Sequence, residues 1–166
     1  MDYQDFIQSG AEAIAIFDKD TADFSFLNNT KPDHICYKCS DREEFEIIRQ
    51  WFEENGQFIY QAKIAGRPIA TIKFKEPLIS KWGTISTFEL SDQKPDGSQT
   101  SRWDHIEMKH MEDDYEGLVA DATNHGLNVI EKIRPHHATH EVVLNGSIKL
   151  VFTREELIQK IKREMG

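Results

Sequence analysis

Two histidines occur in the same tripeptide at distant positions, Asp33-His34-Ile35 and Asp104-His105-Ile106. Each tripeptide lies in a run with the composition of a β-strand, in which successive side chains point to opposite faces. On that alternation Cys36 shares a face with His34, and Glu107 shares a face with His105. A histidine that recurs on the polar face of two strands favours a pair of metal ligands, whereas a single one is more often a satisfied polar residue.

The segment His34 to Cys39 also contains a Cys-x-x-Cys motif. A redox pair with this spacing normally lies at a helix N-terminus, where the thiolate is stabilised. Strand alternation instead sends Cys36 and Cys39 to opposite faces. We therefore expect two small buried side chains and no thiol site.

A carboxylate on another strand completes a candidate metal site. In Phe88-Glu89-Leu90 the two apolar residues face the core, so Glu89 faces the opposite way. If the two halves of the chain pair their sheets, His34, Glu89 and His105 can converge in one cavity. Two imidazoles and a carboxylate, with positions left for water, suit Fe, Mn, Ni or Zn. His140 opens a later strand and could reach the same cavity.

The elements around these residues repeat. A helix with Ser40 as its N-cap and Glu43 three residues later follows the first histidine strand. A segment rich in Asp, Gln, Pro, Gly and Ser, residues 92–101, separates the halves. The predicted strands are 34–39, 57–64, 68–75 and 84–91 in the first half and 103–109, 128–133, 139–144 and 147–152 in the second. With a second helix at 113–124, the period of about 70 residues fits two copies of a βαβββ module.

These patterns predict one α+β structural domain. Residues 1–30 form an N-terminal helical extension, 31–95 the first βαβββ module and 102–153 the second. A C-terminal helix occupies 154–166, with a capping box from Thr153 to Glu156 before an amphipathic run.

Composition limits the classes of partner. The chain has 166 residues and a net charge of −9, which repels phosphate backbones, so we expect no nucleic-acid partner. We expect no membrane span, because no apolar run approaches 18 residues. The N-terminus carries no signal-peptide pattern and the chain has two cysteines, which favours a cytoplasmic location.

Several motifs resemble, in order and approximate spacing, the bacterial YecM-like proteins of the vicinal oxygen chelate superfamily. They are Asp33-His34-Ile35, Gly66-Arg67-Pro68-Ile69, Lys75-Glu76-Pro77, Phe88-Glu89-Leu90, Trp103-Asp104-His105-Ile106-Glu107 and Ile148-Lys149. The resemblance runs from about residue 30 to the end. It implies two βαβββ modules whose mixed sheet curls into a cleft, with helices packed outside and a divalent metal inside, as in glyoxalase I, extradiol dioxygenases and fosfomycin-resistance enzymes.

The resemblance also implies His34, Glu89 and His105 as ligands, with one more ligand on the closing strand. On that strand the sequence departs from the superfamily pattern, because Lys149 stands where the superfamily usually has a glutamate. A charged ammonium cannot ligate a metal. Three alternatives follow: three protein ligands plus water, which we favour; a fourth ligand from His140 or Glu107; or a site that has lost its metal.

The expected function is that of a metal-dependent isomerase, lyase or oxygenase acting on a small oxygen-rich molecule. Glu107 or Glu89 could act as general base, and Lys149 could stabilise an anionic oxygen. The alternative is a non-catalytic module that binds a small molecule in the same cleft. Because the superfamily builds its cleft within one chain or across a dimer, both a monomer and a homodimer remain open.

Overall fold

The computed structural model describes residues 1–55, 57–64, 66–133, 138–146 and 148–165. Helix α1 (Tyr3–Asp20) and a 3-10 helix (Ser25–Asn29) come first. The first set of elements is β1 (Thr30–Lys38), α2 (Arg42–Glu54), β2 (Phe58–Ile64), β3 (Arg67–Ser80) and β4 (Gly83–Ser91). The second set is β5 (Arg102–His110), α3 (Tyr115–Asn124), β6 (Val129–Ile133), β7 (Ala138–Val142) and β8 (Lys149–Thr153). Helix α4 (Leu157–Met165) ends the chain.

The two sets have the same order, one strand, one helix and three strands, so the expected α+β fold of two βαβββ modules is confirmed. Ser147, which the sequence assigns to the last strand, lies outside the described residues. Among the helices of the described ranges, none is both long and apolar enough to cross a bilayer.

All eight strands form one mixed sheet in the order β2-β3-β4-β1-β5-β8-β7-β6. Strand β1 runs parallel to β4, and β5 runs parallel to β8, as expected for two copies of one module. The antiparallel pair β1 and β5 joins the copies. The two strands that carry the repeated histidines are therefore neighbours at the centre of the sheet.

Helix α2 begins one residue later than the sequence predicts. Asp41, not Ser40, is the N-cap, and its side chain accepts a hydrogen bond from the backbone N–H of Glu44 at 2.8 Å. The Glu44 carboxylate in turn accepts from the backbone N–H of Ser40 at 2.8 Å. A carboxylate interacts more favourably than a hydroxyl with the positive end of the helix dipole, which accounts for the shift.

The capping box predicted for α4 does not form. The Thr153 hydroxyl donates to the backbone carbonyl of Glu155. The first N–H of α4, that of Leu157, instead donates to Asp33 Oδ2 on β1 at 2.9 Å. A cap that comes from a strand more than a hundred residues away has no local sequence signal.

The N-terminal extension is part of the core. Phe6 on α1 is fully buried against the apolar side of the sheet. Its ring centroid lies 4.9 to 6.1 Å from those of five other aromatic residues, which are Tyr37, Trp51, Phe52, Phe88 and Trp103. Tyr37 and Trp103 are cross-strand partners on β1 and β5, so Phe6 packs on the junction between the two modules.

We expect Phe6→Ala to lower the free energy of unfolding by about 3 to 5 kcal/mol, because it leaves a cavity at this junction. Urea denaturation followed by tryptophan fluorescence measures the loss. Ile16→Ala, at a half-exposed position of the same helix, is the matched control and should cost far less. A loss for Phe6→Ala as small as that for Ile16→Ala would show that Phe6 of α1 is not a structural part of the core.

Candidate metal centre

His34, His105 and Glu107 converge on the face of the sheet opposite the aromatic core. His34 Nε2 lies 3.7 Å from Glu107 Oε1, and His105 Nε2 lies 3.8 Å from the same oxygen. One ligand atom from each residue lies within 4.8 Å of the other two. These three residues, called the metal trio below, form a candidate metal centre.

The register of β1 and β5 places the metal trio. His34 pairs with Glu107 and Cys36 pairs with His105, after a register shift between Pro32 and His34. Residues directly opposite each other on neighbouring strands point to the same face. Two strands therefore supply all three candidate ligands.

Each histidine is oriented by the aspartate before it. His34 Nδ1 donates to Asp33 Oδ2 at 2.7 Å, and His105 Nδ1 donates to Asp104 Oδ2 at 2.8 Å. This assignment of the ring proton to Nδ1 leaves Nε2 as the atom that faces Glu107. A carboxylate that holds the far nitrogen of a histidine is the usual partner of a metal-bound imidazole. The sequence signal for these aspartates was their recurrence in both tripeptides.

The electrostatics of the metal trio favour a cation. Burial lowers the pKa of His34, but Glu107 and Asp33 together outweigh burial and raise this pKa to about 9. Burial raises the pKa of Glu107, but His34, Lys160 and His105 outweigh it and hold the pKa below its ordinary value. Glu107 is therefore ionised at neutral pH, although its side chain is only 14% exposed.

The donor set fits a divalent ion. Glu107 Oε2 is buried and has no hydrogen-bond partner within the described part of the chain, although an unsatisfied buried oxygen is costly. Donor atoms bound at about 2.1 Å in tetrahedral geometry lie about 3.4 Å apart. The two distances between histidine nitrogen and Glu107 oxygen therefore require only a small contraction to enclose an ion.

Glu89 lies outside the metal trio, although the sequence placed it with the two histidines. On the parallel pair it is aligned with Cys36 instead of His34, and its Oε1 lies 3.8 Å from Cys36 Sγ. Cys36 thus stands between Glu89 and the strand of His105. Glu107, which the sequence offered as a base or a fourth ligand, provides the carboxylate.

His140 does not reach the metal trio. It pairs with Phe152 of the core, and its Nδ1 lies 2.8 Å from the hydroxyl of Tyr115 on α3. His140 therefore points to the helix side of the sheet. The alternation on β7 directs the neighbouring Glu141, not His140, to the site face.

Lys149 lies beside His105, its partner in the register of β5 and β8. Its Nζ is 3.8 Å from Asp104 Oδ2 and 3.8 Å from Glu141 Oε1. When the two tripeptides are superimposed, Cys36 corresponds to Glu107. Glu89 pairs with Cys36 and Val151 pairs with Glu107, so Val151 is the residue equivalent to Glu89. Lys149 is therefore not at the closing position of the second module, and the residue that is there has no donor atom.

Sequence reasoning missed the contribution of α4. Lys160 Nζ lies 3.9 Å from Glu107 Oε2, and the Leu157 N–H at the start of α4 donates to Asp33, as described above. An amphipathic pattern predicts the helix but not the surface on which it packs. The cations around Asp104 were missed for a similar reason. Lys38 and Arg102 lie 2.9 and 2.8 Å from its carboxylate, and neither residue belongs to a sequence motif.

Comparison with known families identifies the family of this chain. The model of the family described as "YecM protein" matches residues 2–154. The chain belongs to the YecM family. Protein YecM of Escherichia coli (strain K12) is 32% identical over 77 residues, which cover 46% of this chain and 40% of that relative. The aligned part is thus less than half of either protein.

Solved structures show which fold this YecM family member has. The structure described as "Structural Genomics, Protein EC4020" superposes with a TM-score of 0.72 at 22% identity and covers 97% of this chain and 92% of its own. A methylmalonyl-CoA epimerase superposes with a TM-score of 0.50 at 13% identity over 75% of this chain and 95% of its own. These likenesses concern the fold alone, which this chain shares with both structures.

We expect Cys36 and Cys39 to resist alkylation in the folded protein. Both are buried and free, and burial raises the pKa of both thiols, so the reactive thiolate is scarce at pH 8. Mass spectrometry after brief treatment with iodoacetamide should find neither thiol modified, and both modified in urea. Rapid labelling of either native thiol at pH 8 would contradict the buried placement.

Proposed function

We propose that the protein binds a divalent metal through His34, His105 and Glu107 and acts as a metalloenzyme on a small oxygen-rich metabolite. The observation that carries the proposal is that two aspartate-oriented histidines direct Nε2 at one Glu107 oxygen. Zn, Fe, Mn and Ni all accept this donor set. When bound, the metal would polarise neighbouring substrate oxygens and stabilise enolate-like charge, as isomerases, lyases and oxygenases of this kind require.

The residues around the metal trio leave room for a substrate. Three protein donors leave coordination positions for water or a bidentate ligand. Val151, opposite Glu107 on β8, adds no donor on that side. The Lys149 ammonium, beside His105, is available to stabilise an anionic oxygen of the substrate.

Proton transfer is assigned to Glu89. A carboxylate that ligates a metal is a weaker base, and Glu107 lies within the metal trio. Glu89 is on the same face, beyond Cys36, and lies outside the metal trio. We therefore propose Glu89 as the general base, with Glu107 as a ligand.

The oligomeric state, the class of partner and the location are proposed from the strand pairing and the net charge. Both strands of the metal trio belong to one chain, which supports a monomer, and a homodimer is the alternative. The net charge of −9 argues against nucleic acid. We propose a cytoplasmic protein whose partner is a small molecule.

Protein purified without an affinity tag should contain about one equivalent of a divalent metal, measured by inductively coupled plasma mass spectrometry. His34→Ala, His105→Ala and Glu107→Gln should each weaken metal binding by more than about 100-fold, because each removes one of only three donors. His140→Ala is the matched control and should bind metal normally, since His140 faces Tyr115. A metal-free wild type whose variants bind added metal equally well would end the metalloenzyme proposal.

Asp33→Asn and Asp104→Asn should each weaken metal binding by about 10- to 100-fold while the protein stays folded. An amide accepts more weakly than a carboxylate, so each histidine loses orientation and basicity. Asp23→Asn, at an exposed position, is the control. Unchanged metal affinity in both variants would show that the aspartates do not support the metal site.

Turnover separates an enzyme from a binding module. The metal-loaded protein should convert at least one compound from a panel of dicarbonyls, catechols and thiol adducts, and Glu89→Gln should slow that conversion without loss of metal. A metal-loaded protein that binds members of the panel but converts none would be a non-catalytic binding module.

A further inference from the structure

Helix α4 holds a lysine beside the metal trio. Lys160 Nζ lies 3.9 Å from Glu107 Oε2 and donates to Thr153 Oγ1 at 3.2 Å. The helix is fixed at its start, where Leu157 is buried and its N–H donates to Asp33. The ammonium is therefore kept close to the site by a docked helix, and its side chain is still 23% exposed.

Lys160 retains hydrogen-bonding capacity. An ammonium has three N–H donors, and the described contacts use one of them, on Thr153. The distance to Glu107 is beyond hydrogen-bond length, so this pair is held by charge alone. Lys149 lies 3.8 Å from both Asp104 and Glu141, so its ammonium is likewise held near the site by charge.

A metal would leave a surplus of positive charge around the site. The carboxylates in and around the metal trio are Asp33, Glu89, Asp104 and Glu107, and the surrounding cations are Lys38, Arg102, Lys149 and Lys160. Glu141 is paired with Lys132 as well, at 3.7 Å. With both histidines neutral, as metal binding requires, these charges balance, so the metal-loaded site carries two surplus positive charges that an anionic ligand would offset.

The two ammoniums flank the side from which a ligand can approach. His34 is 2% exposed, whereas His105 and Glu107 on β5 are 15% and 14% exposed, so solvent reaches the metal trio at β5, beside Lys149, which is 28% exposed. On β8 the residues of the site face are Lys149, Val151 and Thr153. Lys149 lies at one end of this row, and Lys160 is anchored to Thr153 at the other.

We propose that the ligand of this site is an oxygen-rich anion, such as a carboxylate, and that Lys160 of α4 is a residue that binds it. The proposal rests on the metal site proposed above and names its substrate class. An anion bound to the metal from the β8 side lies between the ammoniums of Lys149 and Lys160. A neutral ligand gains nothing from either charge.

The test uses cobalt-loaded protein, whose visible absorption changes when ligands exchange at the metal. Oxalate is the anionic probe and imidazole the neutral one. Lys160→Gln should weaken oxalate binding about tenfold, leave imidazole binding unchanged and strengthen cobalt binding severalfold, because a repulsive charge is removed. Lys160→Arg should retain oxalate binding, and Lys162→Gln, exposed on the same helix, should behave as wild type.

The opposite pattern would overturn the assignment. If Lys160→Gln weakens cobalt binding and leaves the ratio of oxalate to imidazole affinity unchanged, Lys160 only neutralises Glu107, and the metal site stands without an anion preference. If the wild type takes up no cobalt, the metal site itself fails and the ligand class fails with it.

Discussion

The antiparallel pairing of β1 with β5 is the interaction on which the site depends. Each strand carries one Asp-His pair, and only their direct pairing brings both Nε2 atoms to one oxygen. The register shift after Pro32 sets His34 opposite Glu107. A slip of one residue would turn one strand's polar side chains into the aromatic core, so burial on the other face protects the register.

The charged groups of the site, His34 and Glu107, are largely buried. His34 is almost fully buried between two carboxylates, an arrangement that is stable only because each charge has a partner. At neutral pH a proton on His34 provides the compensating positive charge, since its pKa is about 9. A metal would take over this role and release that proton.

The sequence predicted most of the fold because its signals are local. Strand alternation separated Cys36 from Cys39, and the repeated tripeptide indicated the duplication and the two histidines. Strand alternation alone did not show that Glu89 and His140 lie outside the metal trio, or that Val151 and not Lys149 is equivalent to Glu89, because these placements depend on register between strands that are distant in sequence. Asp33 as the cap of α4 had no local signal either, since a competing capping box stood at Thr153.

The placement of α4 has a consequence for relatives. The family model matches residues 2–154, so the metal trio lies inside the matched region and Lys160 lies beyond it. The atoms that would hold the metal and the atom that would select its ligand thus lie on different parts of the chain. Under the two proposals above, a relative with a different terminal helix would keep the metal donors and lose this ammonium.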